Sequence, residues 1–180
     1  MKKSLTLSAI IIATIVSVFA LTYFMKMDRF TYAWALNFLL MLWVFAFVEA
    51  LKSPLTSAYY NEKKWEQKGR IYELIGINYF RKLLVLIGWE KVIRKSTPIE
   101  KSTAALLNLH HQTKKSELGH VIILYVVMGF TIVVAFQFGV LKSIWLLGLN
   151  ILLNLYPVLL QRYNRPRIQR AINLSQRRPS

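Results

Sequence analysis

LGHVIILYVVMGFTIVVAFQFGVL, residues 118–141, contains no Asp, Glu, Lys or Arg and a single histidine, His120. A bilayer core of ~30 Å is crossed by ~20 apolar residues at the helical rise, so this run is long enough to span. Its content is aliphatic and aromatic on every helical face, and water offers no side on which to expose it. Outward from this stretch the pattern repeats. Leu5–Met25 is charge-free and is followed by Lys26, Asp28 and Arg29. Phe30–Val48 is charge-free and closes at Glu49 and Lys52, and Ser143–Gln161 ends at Arg162. The expectation is an all-α membrane protein with four transmembrane helices, near residues 5–25, 30–51, 118–141 and 143–161, forming a single integral-membrane domain over 1–180. The first run exceeds the ~7–15 residues of a signal-peptide core and reads as a span.

Composition agrees. Of 180 residues, 55% are hydrophobic and only 18% charged, below the ~25% of soluble domains. There is no cysteine, which excludes a disulfide scaffold, a thiolate metal site and a cysteine nucleophile. Twenty-four Lys and Arg against eight Asp and Glu give a net charge of +16. Lys2, Lys3, thirteen basic residues between Lys52 and Lys115 and six between Arg162 and Arg178 fall on one side of the four spans. Lys26, Arg29 and Lys142 fall on the other. Positive charge marks the cytoplasmic side, so both termini, the 52–117 segment and the basic C-terminal tail, 162–180, are expected there, in a multi-pass protein of the cell membrane. Because topology accounts for the basic residues, membrane lipids are the implied anionic partner and nucleic acid is not.

The 52–117 segment is too long for a simple connection. Tyr72, Ile75, Tyr79, Leu83, Leu86 and Ile93 recur at helical spacing, with Arg70, Glu73, Arg81, Lys91 and Arg94 on the other side. This predicts a cytoplasmic amphipathic helical insertion lying in the head-group plane, with Gly76 and Gly88 allowing bends. Thr97, Pro98 and Glu100 form an N-cap, first-turn proline and capping box, from which a helix runs unbroken into the third span.

Three groups of residues could carry chemistry. Glu117 and His120, at i and i+3, share a helix face, where a carboxylate can orient an imidazole acting as general base. The plain alternative is that Glu117 pairs with a neighbouring cation. A Glu-x-x-His pair also occurs in carboxylate-bridged metal sites, but those need a second pair and two further glutamates, so no metal is expected. Asn154 and Gln161, with Asn150, form a polar stripe on the fourth span, and amides in a span face other helices or a cavity. Finally, Gln161-Arg162-Tyr163-Asn164-Arg165-Pro166-Arg167 places three guanidinium groups directly after a span. Such forks suit phosphate or carboxylate, whereas plain anchoring needs no preference for arginine over lysine.

The run from Leu159 to Arg167 resembles the C-terminal signature of the glycosyl-4,4'-diaponeurosporenoate acyltransferase (CrtO) family. The block from Gln112 to His120 is similar to that family's segment with the same Glu-x-x-His, and Gly69-Arg70-Ile71-Tyr72 through Phe80-Arg81-Lys82 resembles a third. Together the three cover roughly residues 66–175. The chain departs from the family at Leu83-Leu84, where a Trp-Lys pair is usual, and at Lys115, where arginine is usual. The resemblance implies transfer of a fatty acyl group from an activated, acyl-CoA-type donor to a sugar hydroxyl of a glycosylated carotenoid or isoprenoid lipid, with no bound cofactor. Glu117 and His120 would then supply the base, while Asn154, Gln161, Arg162, Asn164, Arg165 and Arg167 would bind substrate and donor. Two rivals remain open at this point. One is a non-catalytic membrane protein that binds or scaffolds polyisoprenoid lipids. The other is a methyltransferase or reductase working on isoprenoids at the same interface.

Overall fold

A computed structural model describes residues 2–89 and 102–177. Its long helices are α1 (Lys2–Phe24), α2 (Phe30–Leu51), α5 (Thr103–Phe138), α6 (Val140–Asn150) and α7 (Tyr156–Gln176). Two short helices, α3 (Arg70–Leu74) and α4 (Ile77–Leu86), and two 3₁₀ segments, Ala58–Tyr60 and Lys64–Gly69, lie between α2 and α5. A π-helical turn, Ile151–Leu155, joins α6 to α7. No strand occurs among the described residues. Four helical stretches are long and apolar enough to cross a membrane: α1, α2, α5 and the continuous 140–176. The expected start at Thr97-Pro98-Glu100 lies outside the described residues.

The chain divides into two compact units. The first comprises residues 1–54 and 118–157. In it α2 presents Tyr32, Leu36, Leu40, Val44 and Val48 at four-residue intervals, one stripe of a helix. That stripe packs on Ile123, Val127 and Val134 of α5 and on Leu146 of α6. Between helices in lipid this packing stabilises through close contact rather than through exclusion of water. α1 buries no residue, as suits a helix apolar all round and open to hydrocarbon. It is tied to α2 by a 3.0 Å bond between the Thr22 and Tyr32 hydroxyls. Lys142 lies 3.5 Å from Asp28, so the α1–α2 and α5–α6 turns share one end of this unit.

The span boundaries differ from those expected. The third span ends at Phe138, not 141, because Gly139 adopts φ +91° and breaks the helix inside an unbroken apolar run. Hydropathy carries no trace of a break made by conformation alone. Nor do residues 162–176 form a tail: α7 continues through them to Gln176. The change to polar sequence at Arg162 is not a helix stop. Pro166 sits inside this helix and leaves the Arg162 carbonyl without its helical donor.

The second unit comprises residues 55–117 and 158–180. Over residues 70–86 the expected amphipathic insertion is two short helices, because Gly76, one of the two glycines expected to allow a bend, ends α3 and caps α4 at φ +88°. Tyr72, Ile77 and Phe80 point inward, while Leu74, Tyr79 and Leu86 remain largely exposed. Upstream, Gln67, Lys68 and Gly69 take consecutive positive φ values of 48°, 57° and 91°. For the two non-glycine residues that conformation costs about 1–2 kcal/mol each.

Candidate active site

The first unit holds a histidine inside a chain of amides. α2 contributes Asn37, α6 Asn150, the π turn Asn154 and α5 His120. Asn37 donates its amide N–H to the Ala33 carbonyl at 2.8 Å, and Asn150 donates to the Leu124 carbonyl at 2.9 Å. Those backbone oxygens can only accept, so the polarity of both side chains is fixed. Their own oxygens then receive the two N–H groups of Asn154, at 2.7 and 2.9 Å. What remains of Asn154 is its Oδ1, which faces His120 Nδ1 at 3.4 Å. Nδ1 must therefore carry a proton, and a neutral ring has its lone pair on Nε2. The Leu153 carbonyl, deprived of a helical donor by Pro157, is a second acceptor beside the ring. Phe45 meets the imidazole edge-on at 5.1 Å. The same phenyl ring occupies the space over Gly119, where a Cβ would come within 2.6 Å of it. Asn37, Asn150 and Asn154 are fully buried, and a π turn under Asn154 is the kind of helix irregularity that gathers at functional sites.

The second unit holds a buried ionic lattice. Glu117 is completely inaccessible. One of its oxygens accepts from Arg162 Nε at 2.7 Å and the other from Arg165 Nη2. Arg162 reaches Glu66 through Nη1 at 2.9 Å and the Tyr59 carbonyl through Nη2 at 3.0 Å. Arg165 reaches the Tyr60 carbonyl through Nη1 at 3.1 Å and Thr113 Oγ1 through Nε. The Tyr59 and Tyr60 rings stack on these two guanidinium groups. Glu66 also accepts from the Tyr72 hydroxyl and the Lys63 amide. Burial pushes the Glu66 carboxyl up, but Tyr72, Lys63 and Arg162 outweigh it and hold the group below the usual carboxylate range. Burial and the Glu66 charge raise the Tyr72 hydroxyl well above the ordinary phenol value, so it remains a donor. Spacing explains the arrangement: on α7, residues 162 and 165 share a face, and with Glu117 they consume each fork in several directions.

The remaining candidates lie around this lattice. Arg167 donates to Glu73 at 3.0 Å and to the Tyr163 carbonyl at 2.6 Å, and it is partly exposed. Gln161 donates to Ser116 at 3.1 Å. Asn164 is half-buried, and none of these bonds is its own. Thus Arg162, Arg165 and Glu117 are brought together, with Arg167 on a separate carboxylate, while His120 and Asn154 pair with each other in the first unit. Sequence reading passed over Asn37, an amide in a charge-free run and so open to the same reasoning as Asn154. It also passed over Glu66. With eight acids against twenty-four bases, a carboxylate next to an aromatic cluster signals pairing, but its partner, ninety-six residues away, leaves no local mark. Among the described residues, no three His, Asp or Glu side chains gather as metal ligands.

No curated protein and no solved structure matches the chain. A family model described as glycosyl-4,4'-diaponeurosporenoate acyltransferase matches residues 56–174, which takes in Glu117, His120, Asn154 and the whole arginine run. With that match over more than half its length, the chain belongs to the glycosyl-4,4'-diaponeurosporenoate acyltransferase family, acyltransferases of carotenoid biosynthesis.

Proposed function

We propose that the protein transfers a fatty acyl group from a thioester of the acyl-CoA type to a sugar hydroxyl of a glycosylated carotenoid or related isoprenoid lipid. The observation that carries this reading is His120. A histidine within an apolar span is costly unless it works, and here three amides are spent on fixing its tautomer. With the proton on Nδ1, Nε2 takes the proton of the sugar hydroxyl as its oxygen attacks the thioester carbonyl. The carbon–sulfur bond then breaks, and the imidazolium returns the proton to the leaving thiolate. Asn154 is a positioning residue for the ring. Glu117, Arg162 and Arg165 are positioning residues of another kind, since their donors and acceptors are spent on one another. No bound cofactor enters this step.

We place the reaction at the cytoplasmic face of the cell membrane, with both termini and the 52–117 segment on that side, on the strength of the basic-residue asymmetry. The exposed Leu74, Tyr79 and Leu86 suit α3 and α4 to the head-group plane. The test is His120→Ala assayed for product in membranes that contain equal amounts of each protein. Turnover should fall at least ~10²-fold, the scale of a lost general base. Undiminished turnover would remove His120 from the chemistry and leave its amide chain a purely structural feature.

A further inference from the structure

The arginine run spends its donors on the chain's own carboxylates, and a different set of cations is left open. A cleft of about 870 Å³ in the second unit is lined by Lys68, Arg70, Arg167 and Arg170, with Glu62 and Glu73 as opposing charges. Glu73 is already paired with Arg167. Among the described residues, the side chains of Lys68, Arg70 and Arg170 make no hydrogen bond or ion pair, and all three residues are exposed. Solvated surface cations are common, but two features separate this group from them. The backbone that presents Lys68 is the left-handed run of Gln67, Lys68 and Gly69, and strain of this kind is retained at ligand clamps. Gly69 also lets the loop close onto Arg167: a Cβ there would stand 3.0 Å from Arg167 Nη1 and 3.2 Å from the Tyr163 carbonyl. The cleft is thus lined by an arginine stacked on the Tyr163 ring and by three cations whose side chains are unpaired among the described residues. Its volume is that of a ligand pocket rather than a single-ion site.

We propose that this cleft binds a phosphoester group through Lys68, Arg70 and Arg170. The group belongs either to the nucleotide end of a soluble acyl donor, a case that rests on the acyl-transfer reading above, or to the head group of an anionic lipid. The chemistry recognised is the same in both: a multiply charged oxyanion met by guanidinium forks and an ammonium.

The test uses the full chain in phosphatidylcholine nanodiscs, with coenzyme A as the soluble probe, and in discs of phosphatidylcholine and phosphatidylglycerol in equal parts. Lys68→Gln, Arg70→Gln and Arg170→Gln should melt like the parent, since they break no contact. If the soluble donor is the source, coenzyme A binds in the neutral discs and each substitution weakens it about tenfold, the scale of one lost charge-assisted contact. If the lipid is the source, phosphatidylglycerol raises the melting temperature of the parent and displaces coenzyme A, and both effects shrink in the variants. Variants that match the parent in coenzyme A affinity and in the phosphatidylglycerol shift would overturn the proposal. Coenzyme A binding that depends on these cations in a protein without turnover would leave the cleft standing and sink the acyl-transfer reading. Turnover with an unchanged donor KM in all three variants, and no lipid effect, would do the reverse.

Discussion

Arg162→Lys distinguishes a residue that holds the protein together from one that grips a ligand. Arg162 uses Nε, Nη1 and Nη2 on three separate acceptors: Glu117, Glu66 and the Tyr59 carbonyl. Its side chain is 11% exposed, that of Glu66 4% and that of Glu117 0%, so solvent cannot take over a lost partner. Lysine keeps the positive charge but concentrates it at one atom and cannot face three acceptors in a fixed plane. At least one charge-assisted bond is lost, at ~1.5–3 kcal/mol. For a chain of this length 1 kcal/mol moves the melting temperature by roughly 2–4 °C, so Arg162→Lys should melt about 3–12 °C below the parent. Arg162→Gln removes the charge itself, leaving buried Glu66 with no cationic partner and buried Glu117 with Arg165 alone, a loss of about 3–5 kcal/mol and a larger drop. The measurement is thermal unfolding of purified protein in detergent, with neither donor nor acceptor present. A lysine variant that melts within about 1 °C of the parent while its donor KM rises tenfold would refute the argument. The arginine would then serve the ligand, and its contacts with Glu66 and Glu117 would be incidental.

Three further expectations follow from particular contacts. Gly69→Ala places a methyl against Arg167 and the Tyr163 carbonyl at φ +91° and should cost about 1 kcal/mol or more, read as a lower melting temperature; an unchanged one would show that the loop relaxes freely. The Glu66 carboxyl is depressed in the folded protein, so its contribution is present above the unfolded value of ~4.3 and is lost as pH falls through the folded one. Glu66→Gln should therefore be less stable at neutral pH and lose less on acidification below about pH 4, and parallel melting curves for parent and variant would contradict this. For topology, cysteines replacing Lys64 and Ser175 should be protected from impermeant thiol reagents in intact cells while one replacing Asp28 is labelled, and the opposite pattern would invert the proposed orientation.

The four spans were legible because a membrane imposes one crude requirement, an unbroken apolar length, and hydropathy measures it directly. Where the expectation slipped, the cause was conformational. Gly139 ends α5 within residues that hydropathy cannot distinguish, and Gly76 divides what periodicity presents as one amphipathic helix. Both glycines take positive φ, a choice dictated by the path of the chain and not by local polarity. The extension of α7 to Gln176 is obscured for a related reason: the composition turns polar at Arg162 while the helical hydrogen bonding carries on.

The site divides in the same way. Singling out Glu117, His120, Asn154 and the arginine run required only the cost of each group in its setting, and that cost is local. The pairing is not. Glu117 and His120 share a helix face by spacing, yet both Glu117 oxygens are taken by arginines forty-five and forty-eight positions onward, and the His120 ring faces Asn154, thirty-four positions onward. An i, i+3 pair gains only ~0.2–0.5 kcal/mol, whereas each buried guanidinium bond to a carboxylate gains ~1.5–3 kcal/mol, so the distant partners win. The same comparison bears on where an anionic donor could dock. A guanidinium already committed to a buried carboxylate would have to strand that carboxylate before it could receive a phosphate, at about 3–5 kcal/mol. Lys68, Arg70 and Arg170 carry no such debt among the described residues, which is why the phosphate site is placed with them and not with the arginines that first draw the eye.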